Sequence, residues 1–105
     1  MNAREAYAKK DSVQIIDVRH EYEFEAGHVE GARYITLQEI PARFQELDRE
    51  TPVLVTCQVG QRSALAANFL REKGYDAHNL EGGMERWAAA GLPYVASDGG
   101  TAQVV

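Results

Sequence analysis

The chemistry of this chain centres on the segment Cys57-Gln58-Val59-Gly60-Gln61-Arg62-Ser63, which contains the only cysteine. This segment comes after residues with the pattern of a buried strand and leads into residues with the pattern of a helix. Backbone N–H groups of such a loop tend to turn inward and form an anion-binding nest, and the positive end of the helix dipole adds to it. We expect Gly60 to permit the tight backbone turn and Arg62 to add a permanent charge suited to oxyanions.

These features favour the thiolate of Cys57 over the thiol and predict that this residue is a nucleophile. The cradle would hold a tetrahedral oxyanion such as thiosulfate, phosphate or arsenate, and it would equally stabilise a terminal persulfide anion. We assign a supporting position to Ser63, at the helix start. The predicted substrate-binding loop consists of Gln58, Val59, Gly60, Gln61 and Arg62.

Two of these residues also have plainly structural explanations. A lone cysteine that ends a strand is often only a small buried apolar residue, and an arginine near a helix N-terminus is commonly exposed. Arg62, however, opposes the helix dipole, and such a local violation is typical of functional sites. Together with Gly60 and the helix start, it favours a functional Cys57.

Composition limits the classes of function that the chain can have. It has 105 residues, 45% of them hydrophobic, and a net charge of −5. This size predicts one domain, and the acidic balance argues against binding to nucleic acid or to an anionic membrane surface.

The cysteine count and the N-terminal segment bear on location. One cysteine forms no internal disulfide, and the Met1–Lys10 segment lacks the apolar run of a signal peptide, so we expect a cytoplasmic protein. No metal site or cofactor is expected, because the histidines show no ligand spacing.

The elements that must position Cys57 alternate between strands and helices, which predicts an α/β fold with a mainly parallel sheet. Ligands of such sheets lie at the carboxyl ends of strands, and Cys57 comes at the end of a predicted buried strand. The predicted strands are Val13–Val18, Ala32–Thr36, Val53–Thr56 and Tyr75–Leu80. The predicted helices are Ala3–Lys9, Glu21–Ala26, Leu37–Leu47, Ser63–Lys73 and Met84–Ala90.

In this order and spacing, the motifs resemble those of single-domain rhodaneses, the thiosulfate sulfurtransferase-like family, from about Val13 to Pro93. The matching pieces are Ile16-Asp17-Val18-Arg19, Glu23-Phe24, Gly27-His28, Gly31-Ala32, Cys57 with Gly60, Arg62 and Ser63, Ala66 and Leu70, Gly74-Tyr75, Leu80 with Gly82-Gly83, Trp87, and Gly91-Leu92-Pro93. The resemblance implies a five-stranded, mainly parallel sheet with helices on both faces. It also implies that Cys57 takes the outer sulfur of thiosulfate, releases sulfite, and passes the sulfur from its persulfide to cyanide or a thiol.

The length of the loop separates two related chemistries. Cysteine phosphatases have five residues between the cysteine and the arginine, whereas here four residues separate Cys57 from Arg62. The shorter loop suits a sulfur atom better than a phosphoryl group, and it contains no carboxylic acid to protonate a leaving oxygen. Arg62 is its only full charge, so we expect modest activity with thiosulfate and keep another persulfide open as the donor.

Other polar residues near the predicted site have structural interpretations. Asp17 and Arg19 end the first strand, where we expect them to form an ion pair or bind loops and so support the site. The row of Glu21, Glu23 and Glu25 is interpreted as a solvated helix face.

Three hypotheses of function follow. The first is a sulfurtransferase of one domain, residues 1–96, with a flexible tail at residues 97–105. Its partners would be a small sulfur-donor anion and a thiol or cyanide acceptor, which a sulfur-carrier protein could provide, and we expect a monomer. The alternatives are a small cysteine phosphatase or arsenate reductase, and a non-catalytic rhodanese-like binding module.

Overall fold

A parallel sheet forms the centre of the protein, whose computed structural model describes residues 1–105. Its four strands are β1 (Gln14–Asp17), β2 (Arg33–Tyr34), β3 (Val53–Thr56) and β4 (Ala77–Asn79). They lie in the order β2-β1-β3-β4, and all three pairings are parallel. This arrangement brings the carboxyl ends of all four strands to the same edge of the sheet.

The expectation of a fifth strand was wrong. The only β pairing outside the four strands is a single antiparallel bridge between His28 and Val95. Pro93, two residues before Val95, has no backbone N–H with which to continue a ladder of hydrogen bonds. The chain therefore makes a single β-bridge here, where a strand would need several paired residues.

Helices cover both faces of the sheet, as the resemblance implied. The helices are α1 (Ala3–Ala8), α2 (Glu21–Ala26), α3 (Ile40–Arg43), α4 (Gln61–Glu72) and α5 (Gly83–Ala89). Neighbouring strand residues point to opposite faces. Ile15 and Leu54 pack in one hydrophobic cluster with residues of α1 and α5, whereas Ile16, Val53 and Val55 pack in a second one with residues of α3 and α4. β3 is thus packed between two hydrophobic cores, which fix the position of Cys57 after it.

The helix predicted at Leu37–Leu47 is interrupted. Leu37–Glu39 and Phe44–Glu46 form 3₁₀ turns on either side of the one-turn helix α3. Pro41 has no N–H, so the α-helical hydrogen bond from position 41 to the Leu37 carbonyl cannot form. The preceding turn is instead closed by the tighter bond from the Ile40 N–H to that carbonyl.

Residues 97–105 have no helix or strand, but several of them contact the rest of the protein. Ser97 donates a backbone hydrogen bond to Glu25, and Gln103 donates one to Ala26. Val104 packs against the cluster that contains Ile15 and Leu54. These contacts hold the segment alongside α2. That residues 97–105 are flexible stays a prediction.

The structure contains no helix with the length and apolar character that a membrane span requires.

Candidate active site

Cys57 lies directly after β3, and its sulfur accepts hydrogen bonds from the loop that follows. The side chain is 1% exposed. The Gly60 N–H lies 3.1 Å from Sγ, the Ser63 N–H 3.3 Å and the Ser63 hydroxyl 3.2 Å. Three donors converging on one sulfur stabilise negative charge there. They would stabilise the same charge on a sulfur bonded to Sγ.

The loop between Cys57 and α4 has further donors. Gly60 has a φ of +107°, in the left-handed region that favours glycine. The N–H groups of Gln58, Val59, Gln61 and Arg62 donate no hydrogen bond to other residues of the protein. These groups are therefore free to bind an anion. Of the side chains predicted to bind substrate, Val59 and Gln61 are exposed, and Gln58 is half-buried.

Helix α5 holds the other side of this loop. The Met84 N–H donates to the Cys57 carbonyl at 2.8 Å, and the Glu85 N–H donates to the Gln58 carbonyl at 3.1 Å. Gly83 makes this approach possible, because a Cβ on it would lie 2.4 Å from the Cys57 carbonyl oxygen. Since these carbonyls are bound by α5, the peptide groups of the loop are fixed in orientation.

Asn79 is a residue of the site that the sequence analysis missed. Its Nδ2 donates to the Gly60 carbonyl at 3.1 Å, and its Oδ1 accepts from the Ser63 hydroxyl. It therefore ties the turn of the loop to the start of α4. A signal was present, because Asn79 ends β4 and the carboxyl ends of neighbouring parallel strands meet at one edge of the sheet.

Arg62, which we predicted to bind substrate, is paired with a carboxylate in the structure. Its two terminal nitrogens lie 2.9 and 3.1 Å from the two carboxylate oxygens of Glu23. Hydrogen bonding to Glu23 raises the pKa of Arg62, although burial acts in the opposite direction. The interpretation of Glu23 as part of a solvated face was wrong, since its side chain is only 7% exposed.

The helical period could have revealed the role of Glu23. Glu21 and Glu25 are four residues apart and share one face of α2, whereas Glu23, two residues from each, lies on the other face. Burial would raise the pKa of Glu23. Hydrogen bonds from Arg62 and from the His20 N–H, together with the charges of Arg62 and Arg19, outweigh burial and lower it. Glu23 is thus a carboxylate at neutral pH.

Asp17 and Arg19 form a second, fully buried ion pair beside the loop. Arg19 contacts both oxygens of Asp17, with its Nη2 2.8 Å from Oδ2. The same guanidinium donates to the Gly27 carbonyl at 2.6 Å and to Gln58 Oε1 at 3.1 Å. This pair connects the end of β1 to the active-site loop through Gln58.

The site is a shallow cradle and no deep pocket leads to it. The most enclosed surface pocket, about 440 Å³, is lined by residues that include Tyr7, Trp87 and Tyr94, and by no residue of the loop. Cys57 lines none of the three pockets that the surface has. No group of three or more His, Cys, Asp or Glu residues is arranged to hold a metal ion. The arrangement suits nucleophilic attack by sulfur on a small donor or on one presented at a protein surface.

Comparison with known proteins agrees with this geometry. The model of the family described as "Rhodanese-like domain" matches residues 2–90. The thiosulfate sulfurtransferase GlpE of Tolumonas auensis is 39% identical over 82% of this chain and 81% of its own length. The uncharacterized protein YqhL of Bacillus subtilis is 44% identical over 70% of this chain, and that match spans 60% of the YqhL length.

Solved structures share the fold. A rhodanese-related protein from Thermoplasma volcanium superimposes with a TM-score of 0.88 at 30% identity, covering 90% of this chain and 95% of the other. A rhodanese-like domain protein from Staphylococcus aureus does so with a TM-score of 0.77 at 32% identity, covering 83% and 88%. The family match over most of the chain confirms the resemblance seen in the motifs, and the chain belongs to the rhodanese-like domain family.

Proposed function

We propose that this protein is a sulfurtransferase that carries sulfane sulfur as a persulfide on Cys57. The donor is thiosulfate or a persulfide, and the acceptor is cyanide or a thiol. The observation that carries the proposal is the convergence of the Gly60 N–H, the Ser63 N–H and the Ser63 hydroxyl on the Cys57 sulfur. A cradle of this kind stabilises the thiolate before the reaction and the persulfide anion after it.

The proposed reaction has two steps. The Cys57 thiolate attacks the outer sulfur of thiosulfate and forms a new S–S bond. The S–S bond of the donor breaks and its electron pair leaves with sulfite. The acceptor, a cyanide ion or a thiolate, then attacks the outer sulfur of the persulfide and releases the Cys57 thiolate. No net oxidation of the protein occurs, because the sulfur enters and leaves in the same oxidation state.

Two alternatives receive less support. A cysteine phosphatase or arsenate reductase would need a wider loop and a group to protonate the leaving oxygen, and no carboxylic acid lies between Cys57 and Arg62. A non-catalytic binding module would not need a sulfur surrounded by three donors. The similarity to GlpE, a thiosulfate sulfurtransferase, also favours transfer.

The decisive experiment is mass spectrometry of the intact protein after treatment with thiosulfate and, separately, with glutathione persulfide. We expect a gain of one sulfur, about 32 mass units, that is lost on reduction and is absent in Cys57→Ser. A steady-state thiosulfate:cyanide assay should give measurable turnover for the wild type alone. Absence of any adduct with both donors in excess would overturn the proposal in favour of a binding module, and hydrolysis of an aryl phosphate would favour a phosphatase.

The remaining expectations are part of this proposal. We propose a monomer in the reducing cytoplasm, where a lone cysteine stays a thiol. Its partners would be a small sulfur-donor anion and a thiol acceptor, which a sulfur-carrier protein could provide. The net charge of −5 disfavours nucleic acid and anionic membranes as partners.

A further inference from the structure

The charge of the active-site loop is cancelled within the protein itself. Arg62 is the only charged residue of the segment from Cys57 to Ser63, and both oxygens of Glu23 bind it. Glu23 is also fixed from its own helix, because its Oε1 accepts the His20 N–H at 2.9 Å. Glu23 is therefore positioned by its own helix as well as by Arg62.

The other arginine that contacts the loop is also paired with a carboxylate. Arg19, which contacts Gln58, forms a fully buried pair with Asp17. Arg86 is exposed and lines a shallow surface pocket that includes Val59 but not Cys57. The cradle therefore offers a substrate N–H and O–H dipoles with no net positive charge.

Sulfur donors differ in the charge that they bring to such a site. Thiosulfate brings two negative charges to the Cys57 thiolate, whereas an organic persulfide brings one charge to the reacting sulfurs, or none when it is protonated. Unlike charges at a few ångströms interact by about 1 kcal/mol even in water, and by more in a partly buried site. A neutral cradle thus forgoes an attraction that would favour the dianion most.

We propose that Glu23 is a specificity-determining residue that acts through Arg62 and makes the loop select organic persulfides over dianionic thiosulfate as sulfur donors. This inference rests on the proposed function. In the step concerned, the Cys57 thiolate attacks the outer sulfur of R–S–SH. The new S–S bond forms, the donor S–S bond breaks, and the electron pair leaves with RS⁻, so that Cys57 retains the outer sulfur and its proton.

The first test compares two donors in one variant and its matched control. Glu23→Gln removes the carboxylate charge, and Glu25→Gln makes the same change in net charge at an exposed position of the same helix. We expect Glu23→Gln to raise the ratio of kcat/KM for thiosulfate to kcat/KM for glutathione persulfide about tenfold, which corresponds to about 1.4 kcal/mol. We expect Glu25→Gln to leave this ratio unchanged.

A second measurement does not depend on sulfur transfer. Iodoacetate and iodoacetamide alkylate thiolates and are nearly equal in size, but only iodoacetate is an anion. The rate at which iodoacetate alkylates Cys57, divided by the rate for iodoacetamide, reports the electrostatic potential at the sulfur. Glu23→Gln should raise this ratio several-fold. Arg62→Gln, which leaves the Glu23 charge uncompensated, should lower it, and this second variant keeps the test decisive if Glu23→Gln folds poorly.

The outcomes separate this inference from the proposed function. An unchanged alkylation ratio in both variants, or an equal rise in Glu25→Gln, overturns the role of Glu23 even if the protein forms a persulfide. If no donor yields a persulfide but the ratio responds as expected, the proposed function fails while the control of charge by Glu23 stands. If the wild type forms a persulfide and already prefers thiosulfate to glutathione persulfide, the inferred selectivity is wrong.

Discussion

The hydroxyl of Ser63 lies between two acceptors that cannot both receive its single proton. Its oxygen is 3.2 Å from the Cys57 sulfur and also hydrogen-bonds Asn79 Oδ1. When Cys57 is a thiolate, donation to sulfur is favoured, because hydrogen bonds to charged groups are the stronger ones. The hydroxyl is therefore the one donor to the sulfur that can change its direction with the charge state, whereas the two backbone donors are fixed.

Ser63→Ala tests what this hydroxyl contributes. Loss of one hydrogen bond to a charged acceptor costs about 1.5–3 kcal/mol, part of which the two remaining donors recover. We expect alkylation of Cys57 by iodoacetamide at neutral pH to slow by about tenfold. Ser12→Ala is the control, since that hydroxyl donates to the Lys9 carbonyl at an exposed position. Equal rates for Ser63→Ala and the wild type would show that the backbone donors alone set the reactivity.

At the scale of elements, the start of α5 is as much a part of the site as the loop itself. Met84 and Glu85 bind the carbonyls of Cys57 and Gln58 only because Gly83 has no side chain. Its φ of +59° is a conformation that other residues rarely adopt. The close approach of Gly83 to Cys57, 26 positions away in the sequence, thus depends on residue 83 being a glycine.

We predict that Gly83→Ala destabilises the protein by about 3 kcal/mol. The added Cβ meets the Cys57 backbone and separates two hydrogen bonds of about 1 kcal/mol each, and the left-handed conformation adds about 1 kcal/mol. Gly91→Ala is the matched control: it has a φ of +75° and nothing within 4 Å of its added Cβ. Chemical denaturation measures both variants. A loss in Gly83→Ala no greater than in Gly91→Ala would contradict the role of close approach.

Local patterns predicted the elements that carry Cys57, whereas contacts between distant elements escaped them. Val53–Thr56 was predicted with its exact bounds, and the helix after the loop begins two residues earlier than predicted. Both depend on neighbours in sequence, namely a run of mostly β-branched residues for the strand and an apolar stripe at helical spacing for the helix. The pairing of Arg62 with Glu23 joins residues 39 positions apart, and no local pattern specifies which carboxylate an arginine meets. The fifth strand failed because it was taken from the resemblance and not from this chain.

At the scale of the whole molecule, two ion pairs stand at the carboxyl edge of the sheet. Asp17, the last residue of β1, pairs with Arg19, and the Glu23–Arg62 pair joins α2 to α4. Both pairs are bidentate, so they fix direction as well as distance. In this chain, whose net charge is −5, both arginines are paired with the protein's own carboxylates. The two ion pairs form the framework on which the active-site loop is built.

The Glu23–Arg62 pair predicts how the stability of the molecule depends on pH. The pKa of Glu23 is lower in the folded protein than its ordinary value, so the unfolded chain binds the proton more readily. Its contribution is therefore present above about pH 5, the upper end of ordinary carboxylate titration, and it is lost as the pH falls through the lowered pKa. The pKa values of Glu39, Glu46, Asp48 and Glu81 are also lowered, but these carboxylates are in contact with solvent and are screened by salt.

Denaturation of the wild type and of Glu23→Gln between pH 7 and pH 3, in 0.5 M salt, isolates this pair. Because Arg62 is about a third exposed, solvent weakens the pair, and we expect the variant to be less stable by about 1 kcal/mol at pH 7. The difference should shrink as the pH falls and the wild-type carboxylate takes up its proton. Glu25→Gln should follow the wild-type curve throughout. Parallel curves for the wild type and Glu23→Gln would mean that Glu23 does not carry its charge in the folded protein, and the electrostatic balance of the cradle would have to be assigned to another carboxylate.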